Sequence, residues 1–142
     1  MQEQQGTHPR SDQQWLEDYV RHAGAVAGTV HRAQPGGLQL SAAHNIPPKV
    51  QEIVAWVPEG KGMAGQALLT RQPVFTCNLK DDPSATVRPG ARAVDAQAAI
   101  ALPIASFSGD IAAVVGVAYA DQRDFSPAEI ARLTALGSSI LR

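Results

Sequence analysis

Val57-Pro-Glu-Gly-Lys-Gly-Met-Ala-Gly-Gln-Ala-Leu-Leu-Thr-Arg-Gln-Pro-Val-Phe-Thr-Cys-Asn78 is the stretch that decides how this chain folds. A glycine-studded turn enters a short helix over Ala64 to Thr70, and the helix gives way to a short strand over Val74 to Cys77. Gly60, Gly62 and Gly65 leave backbone N–H groups without side-chain cover where that helix starts. The first turn of a helix carries amide hydrogens with no internal acceptor, and the positive end of its dipole lies there too. An anion or a polar ligand atom is favoured at such a place, so the N–H groups of Gly62, Met63 and Ala64 are candidate donors. The same glycines spell G-x-G-x-x-G. Pro58 precedes them and the helix that follows is short, which excludes a dinucleotide-binding fold. Their first role is a tight turn that lets a helix pack closely on a sheet.

Upstream of this stretch, Ser11 or Asp12 caps a helix to about His22, with Trp15, Leu16, Tyr19, Val20 and Ala23 on one stripe. Residues 24–32 and 38–44 alternate around Gln34-Pro-Gly-Gly37 and read as a hairpin. Pro47-Pro48 opens a short helix to about Ala55. Downstream, Asn78 to Asp95 reads as a long, polar connection, a class of segment that is often functional. Ala98 to Ala105 and Ile111 to Ala120 are apolar on both faces and joined by Ser106-Phe-Ser-Gly-Asp110. That loop predicts an antiparallel hairpin in the middle of a sheet covered on both sides. In the last helix Ser126 is the cap, Pro127 takes the first position, Glu129 completes a capping box and Phe125 staples against Ile130. Ile130, Leu133, Leu136, Gly137, Ile140 and Leu141 form its buried stripe. The order of elements is that of an α+β layer structure.

Bulk properties narrow the function. The chain has 142 residues, 44% hydrophobic and 18% charged, which is the composition of one globular domain. A net charge of -1 provides no field for nucleic acid. Residues 1–10 are polar and Gln-rich, reading as a frayed tail rather than a secretion signal, and 11–142 as the domain. No apolar run reaches membrane-spanning length. Cys77 is the sole cysteine, which fits a reducing, cytoplasmic compartment.

Four pieces then match a family. Pro58-Glu-Gly-Lys-Gly-Met-Ala-Gly-Gln-Ala67, Gln72-Pro-Val-Phe-Thr-Cys-Asn78, Ala99-Ile-Ala-Leu-Pro-Ile104 with Val115-Gly-Val-Ala-Tyr119, and Asp124-Phe-Ser-Pro-Ala-Glu129 stand in the order and spacing of a GAF domain. Over residues 12–142 the chain resembles that family in its single-domain form. The resemblance implies a profilin-like central antiparallel sheet with the terminal helices on one face. It implies a pocket on the other face, roofed by the irregular segments of residues 47–95. It also implies pairing of terminal helices into a homodimer.

Candidate site residues follow from both readings. Trp56 is a candidate aromatic wall. Arg88 and Arg92, four apart, would lie on one helical face and clamp a carboxylate or phosphate. Tyr119 is expected to point inward from a central strand. Cys77 is either a small buried strand residue or a redox thiol. Some GAF proteins reduce free methionine-R-sulfoxide with a set of cysteines. This chain has one, and so lacks the resolving partner. Cys77 is not followed by histidine as in bilin-carrying GAF domains, and Asn78-Leu-Lys-Asp-Asp82 departs from the cyclic-nucleotide signature. His8, His22, His31 and His44 are scattered. Surface histidines are the default, and His31 and His44 at neighbouring strand ends would lack a third metal ligand. No cofactor or metal is expected. The leading expectation is a sensory domain for a small polar or anionic ligand, signalling through its terminal helices to a separate protein. Alternatives are a thiol-dependent sulfoxide reductase using Cys77 and a dimerisation module without ligand.

Overall fold

The computed structural model describes residues 11–76, 97–121 and 123–141. Its elements are α1 (Asp12–Ala23), β1 (Ala27–Gln34), β2 (Gly37–His44), α2 (Pro48–Ile53), β3 (Trp56–Pro58), α3 (Gly62–Thr70) and β4 (Val74–Thr76). They continue with β5 (Ala98–Ala105), β6 (Ile111–Tyr119), α4 (Pro127–Gly137) and a closing 3-10 turn, Ser138–Leu141. The six strands form one antiparallel sheet in the order β3-β2-β1-β6-β5-β4. The hairpin β5–β6 and the central position of both strands agree with the sequence expectation. Strand β3 was not foreseen: Trp56 to Pro58 pairs with Gln39 to Gly37 and forms one edge of the sheet.

Local chemistry sets the ends of the elements. Ser11 Oγ accepts from the Gln14 N–H at 3.1 Å while Gln14 Oε1 accepts from the Ser11 N–H, and Gly24 closes α1 at φ 72°. At α4, Ser126 Oγ accepts from the Glu129 N–H at 3.1 Å. The reciprocal half of the expected capping box does not form. The Glu129 carboxylate instead takes two hydrogen bonds from Arg132, both at 3.0 Å, because a charge-assisted pair one turn away outcompetes a backbone N–H.

The two faces of the sheet differ in side-chain size. Along β5, Ala98, Ile100, Leu102 and Ile104 face α1 and α4, while Ala99 and Ala101 face the other way. Along β6, Val115, Val117 and Tyr119 face the terminal helices, and Val114 and Ala118 oppose them. The helix side is therefore a packed core around Trp15, Leu16, Tyr19 and Leu133. A fully buried side chain such as Leu16 or Leu102 stabilises the fold by about 1.5–3 kcal/mol. Polar ties fix the two helices to each other: the Tyr19 hydroxyl donates to the Leu133 carbonyl at 2.8 Å, and Trp15 Nε1 donates to Ser139 Oγ at 2.8 Å.

Strand β2 changes face partway. Val30 pairs with Ala42 but His31 pairs with Leu40, so Ser41 is an extra residue in a β-bulge. Leu38 thus packs on the small-residue face and Ala42 on the helix face. The bulge turns Ser41 toward Asp12, whose carboxylate accepts from the Ser41 hydroxyl, from Arg32 Nε at 2.9 Å and from the Arg32 terminal nitrogen at 2.7 Å. This cluster pins the start of α1 to the sheet.

The hydrogen bond from Arg32 holds the Asp12 carboxyl below its usual 3.8, against a smaller opposing effect of burial. A carboxyl depressed in the folded state contributes stability that is complete above its unfolded value and is lost as pH falls through the folded one. Asp12→Asn should therefore cost up to about 1 kcal/mol near neutrality, a modest figure because Arg32 is partly exposed. The deficit should shrink as pH drops below about 4. Urea midpoints near neutrality and in acid measure it, and a deficit that does not change with pH would contradict the ion pair.

Candidate functional site

Between the small-residue face of the sheet and the segment from Ile46 to Ala64 lies a cavity of about 140 Å³. Its floor is three adjacent strands: Ala27, Thr29 and His31 from β1, Gly116 and Ala118 from β6, and Ala99 and Ala101 from β5. Gly116 sits between Thr29 and Ala101 in register. A Cβ there would come within 3.1 Å of Thr29 Oγ1, so the missing side chain keeps the floor low. The roof is Ile46, Val50 and Val54 around α2, then Val57, and finally Lys61 to Ala64 at the start of α3.

The glycine corner holds that roof in place. Lys61 N–H donates to the Pro58 carbonyl at 3.0 Å, Gly65 N–H to Lys61 at 3.0 Å, and Gly60 N–H to Gly65 at 2.8 Å. Gln66 Nε2 reaches back to the Gly60 carbonyl at 2.8 Å. Gly60 and Gly62 have φ of 88° and 65°, which a residue with a Cβ adopts only under strain. Helix α3 starts at Gly62, earlier than expected, with Lys61 as a cap that makes no side-chain bond. The N–H groups of Gly62, Met63 and Ala64 find no acceptor among the described residues. All three residues and Lys61 line the cavity.

His31 is 3% exposed and lines the cavity. It is not the surface histidine expected, nor does it neighbour His44, which pairs with Gly28 at the far end of β1. Its Nε2 lies 2.8 Å from the Val54 carbonyl. A carbonyl only accepts, so Nε2 carries the proton and Nδ1 keeps its lone pair. Burial pushes the imidazole below its usual value, outweighing the bond to Val54, and keeps the ring neutral. Among the described residues the buried side-chain polar atoms with no partner are Tyr119 Oη and Arg123 Nε. Nδ1 of His31 makes no hydrogen bond among the described residues.

The other candidates are dispersed. Trp56 stands on the edge strand, 44% exposed, its ring over Gly37 rather than in the cavity. Tyr119 faces the terminal helices, fully buried against Phe125 at 5.8 Å, on the same side of β6 as Val115 and Val117. The Arg123 guanidinium lies 3.7 Å from the centre of its ring. Cys77, Arg88 and Arg92 lie outside the described residues. Among the described residues no cluster of histidine, cysteine or acidic side chains is arranged to hold a metal, and no helix is long and apolar enough to cross a membrane.

A family model described as GAF domain matches residues 13–141. No curated protein matches the chain. Among solved structures, the GAF domain of a two-component sensor histidine kinase from Bacillus halodurans is similar with a TM-score of 0.69 at 17% identity, over 89% of this chain and 88% of that one. The A. Aeolicus nlh2 GAF domain in an inactive state gives 0.66 at 14%, over 96% and 83%. The type II free methionine-R-sulfoxide reductase from Thermoplasma acidophilum gives 0.64 at 18%, over 92% and 84%. At these identities the likeness carries the fold and not the chemistry.

A Cβ on Gly65 would lie 2.5 Å from the Pro58 carbonyl oxygen and 3.2 Å from the Gly60 nitrogen. Gly65→Ala should lower stability by about 1–3 kcal/mol as the corner is pushed open. Helix propensity alone would give the opposite sign, a gain approaching 1 kcal/mol. Urea unfolding decides between them, with amide shifts at residues 59–64 reporting displacement of the roof.

Proposed function

The chain belongs to the GAF domain family, and on that premise we propose that it is a sensory domain whose ligand is a single compact molecule held between the sheet and the start of α3. The cavity under that helix start carries the reading. Its lining is mostly alanine, glycine, valine and isoleucine broken by few polar groups, so the ligand is apolar over most of its surface with polar groups at few points. This narrows the polar or anionic ligand expected from the sequence. The volume is close to that of an engineered cavity, about 150 Å³, that accepts benzene.

Occupancy is transmitted through the strands. Ala99, Ala101 and Ala118 face the ligand, while their chain neighbours Ile100, Leu102, Val117 and Tyr119 pack under α1 and α4. In this reading the terminal helices carry the signal to a second copy or to a separate protein in the cytoplasm. The similarity to a sensor-kinase GAF domain supports a signalling role. A sulfoxide reductase role depends on Cys77, which lies outside the described residues.

A thermal-shift panel of organic acids, amino acids, nucleotides and small aromatics tests the reading. A ligand at one hundred times its dissociation constant stabilises the fold by about 2.7 kcal/mol, a readily measured rise in Tm. Ala101→Leu, which fills the floor, should abolish that rise while leaving a cooperative melt, and Gly116→Val serves where the first variant misfolds. A wild-type Tm that no compound moves would end the proposal.

A further inference from the structure

The polar groups around the cavity specify more than a small ligand. They fall at two places. Lys61 and the N–H groups of Gly62, Met63 and Ala64 form one cluster, all donors, with one formal positive charge. The second cluster is on β1, where Thr29 and His31 lie two residues apart on one face, about 7 Å along the strand. Thr29 Oγ1 has no partner among the described residues, and Nδ1 of His31 is an open acceptor.

This arrangement discriminates among ligand classes. Among the described residues no aspartate or glutamate lines the cavity and Lys61 is the charged side chain there, so these residues offer a partner to a carboxylate and none to an ammonium group. A space of about 140 Å³ is too small for a nucleotide. Alanine and glycine lying side by side over most of the floor keep it low and apolar, and such a face suits a ring. One anionic head fits the start of α3, where orphan amides and the helix dipole act together. The neutral imidazole needs a ligand that brings its own donor.

We propose that the cavity selects a single-ring aromatic carboxylate bearing one hydroxyl. The ring rests on the alanine and glycine floor, the carboxylate accepts from the first turn of α3 beside Lys61, and the hydroxyl donates to Nδ1 of His31. The proposal rests on the ligand-binding reading above and adds the chemical class and the residue that reads it. His31 is the specificity residue because Nε2 is committed to Val54, which fixes both the tautomer and the ring.

Calorimetric titration of the full chain with the three hydroxybenzoate isomers, their methoxy counterparts, benzoate and phenol tests this. At least one hydroxybenzoate should bind about tenfold tighter than benzoate, than phenol and than its own methoxy counterpart, the scale of one well-placed hydrogen bond. His31→Phe should abolish the preference, so that this isomer and benzoate bind alike to the variant. The methoxy comparison tests the donor on unaltered protein, so it holds even where His31→Phe fails to fold. Equal binding of hydroxy, methoxy and unsubstituted acids would overturn the role of His31. Equal binding of phenol and hydroxybenzoate would overturn the carboxylate. If a different compound from the thermal-shift panel binds and Ala101→Leu abolishes it while no hydroxybenzoate binds, the cavity reading stands and this inference falls. If nothing binds, both fall.

Discussion

The structure depends on an unequal sheet. Three central strands place mostly large side chains on one face and, over the middle of the other, mostly alanine and glycine. The large face seals against α1 and α4 and supplies most of the hydrophobic stabilisation. The small face cannot fill the space beneath its own roof. The deficit is local, where Ala99, Ala101, Gly116, Ala118 and Thr29 lie side by side under α2 and the start of α3. Protein interiors are close-packed, and a space of this size left unfilled forfeits contacts on every wall. A fold that tolerates such a space has a stabilised opposite face to offset it.

The roof stays up because the glycine corner is stiff. Its carbonyls and amides satisfy one another from Pro58 to Gln66, and Gly65 approaches the Pro58 carbonyl more closely than a side chain permits. That closure uses the amides of Gly60, Lys61 and Gly65 and leaves those of Gly62 to Ala64 pointing out of the hydrogen-bond network. The same glycines therefore serve turn geometry and donor supply. The two roles are compatible because they fall on different amides.

Much of the fold was legible in the chain. Ser11, Ser126 and Pro127 mark helix starts by side-chain chemistry that acts within one turn, and such signals do not depend on tertiary context. The hairpins were legible for the same reason. The candidate site was legible only at the corner. Gly62, Met63 and Ala64, which line the cavity, were legible because a glycine-rich helix start is a local feature. His31 was not found, because its burial depends on α2 folding over it and on β1 lying beside β6, neither of which its neighbours Val30 and Arg32 reveal. Tyr119 was assigned to the wrong face because β5 and β6 are apolar throughout, so hydrophobicity does not say which side faces in. Side-chain size does. Small residues at 99 and 101, and at 116 and 118, alternate with large ones at 100, 102, 115, 117 and 119. Strand β3 was missed because its three residues pair only with β2, and a strand so short has no periodicity to read.

The unequal sheet also constrains how a filled cavity is felt elsewhere. Ala99 and Ala101 flank Ile100 on one strand, and Val117 precedes Ala118 on the next, so a group seated on the methyl side presses on backbone whose other side is packed against Leu16, Tyr19 and Leu133. That packing is dense, and dense packing transmits displacement instead of absorbing it. Gly137 tightens the link further, since a Cβ there would come within 3.1 Å of Ile104 Cδ1, placing α4 in close contact with β5. Strands with alanine on one side and isoleucine on the other are thus compliant toward the cavity and rigid toward the helices. In the proposed reading, a molecule entering from the compliant side would displace α1 and the end of the chain together, because Tyr19 and Trp15 are tied to Leu133 and Ser139.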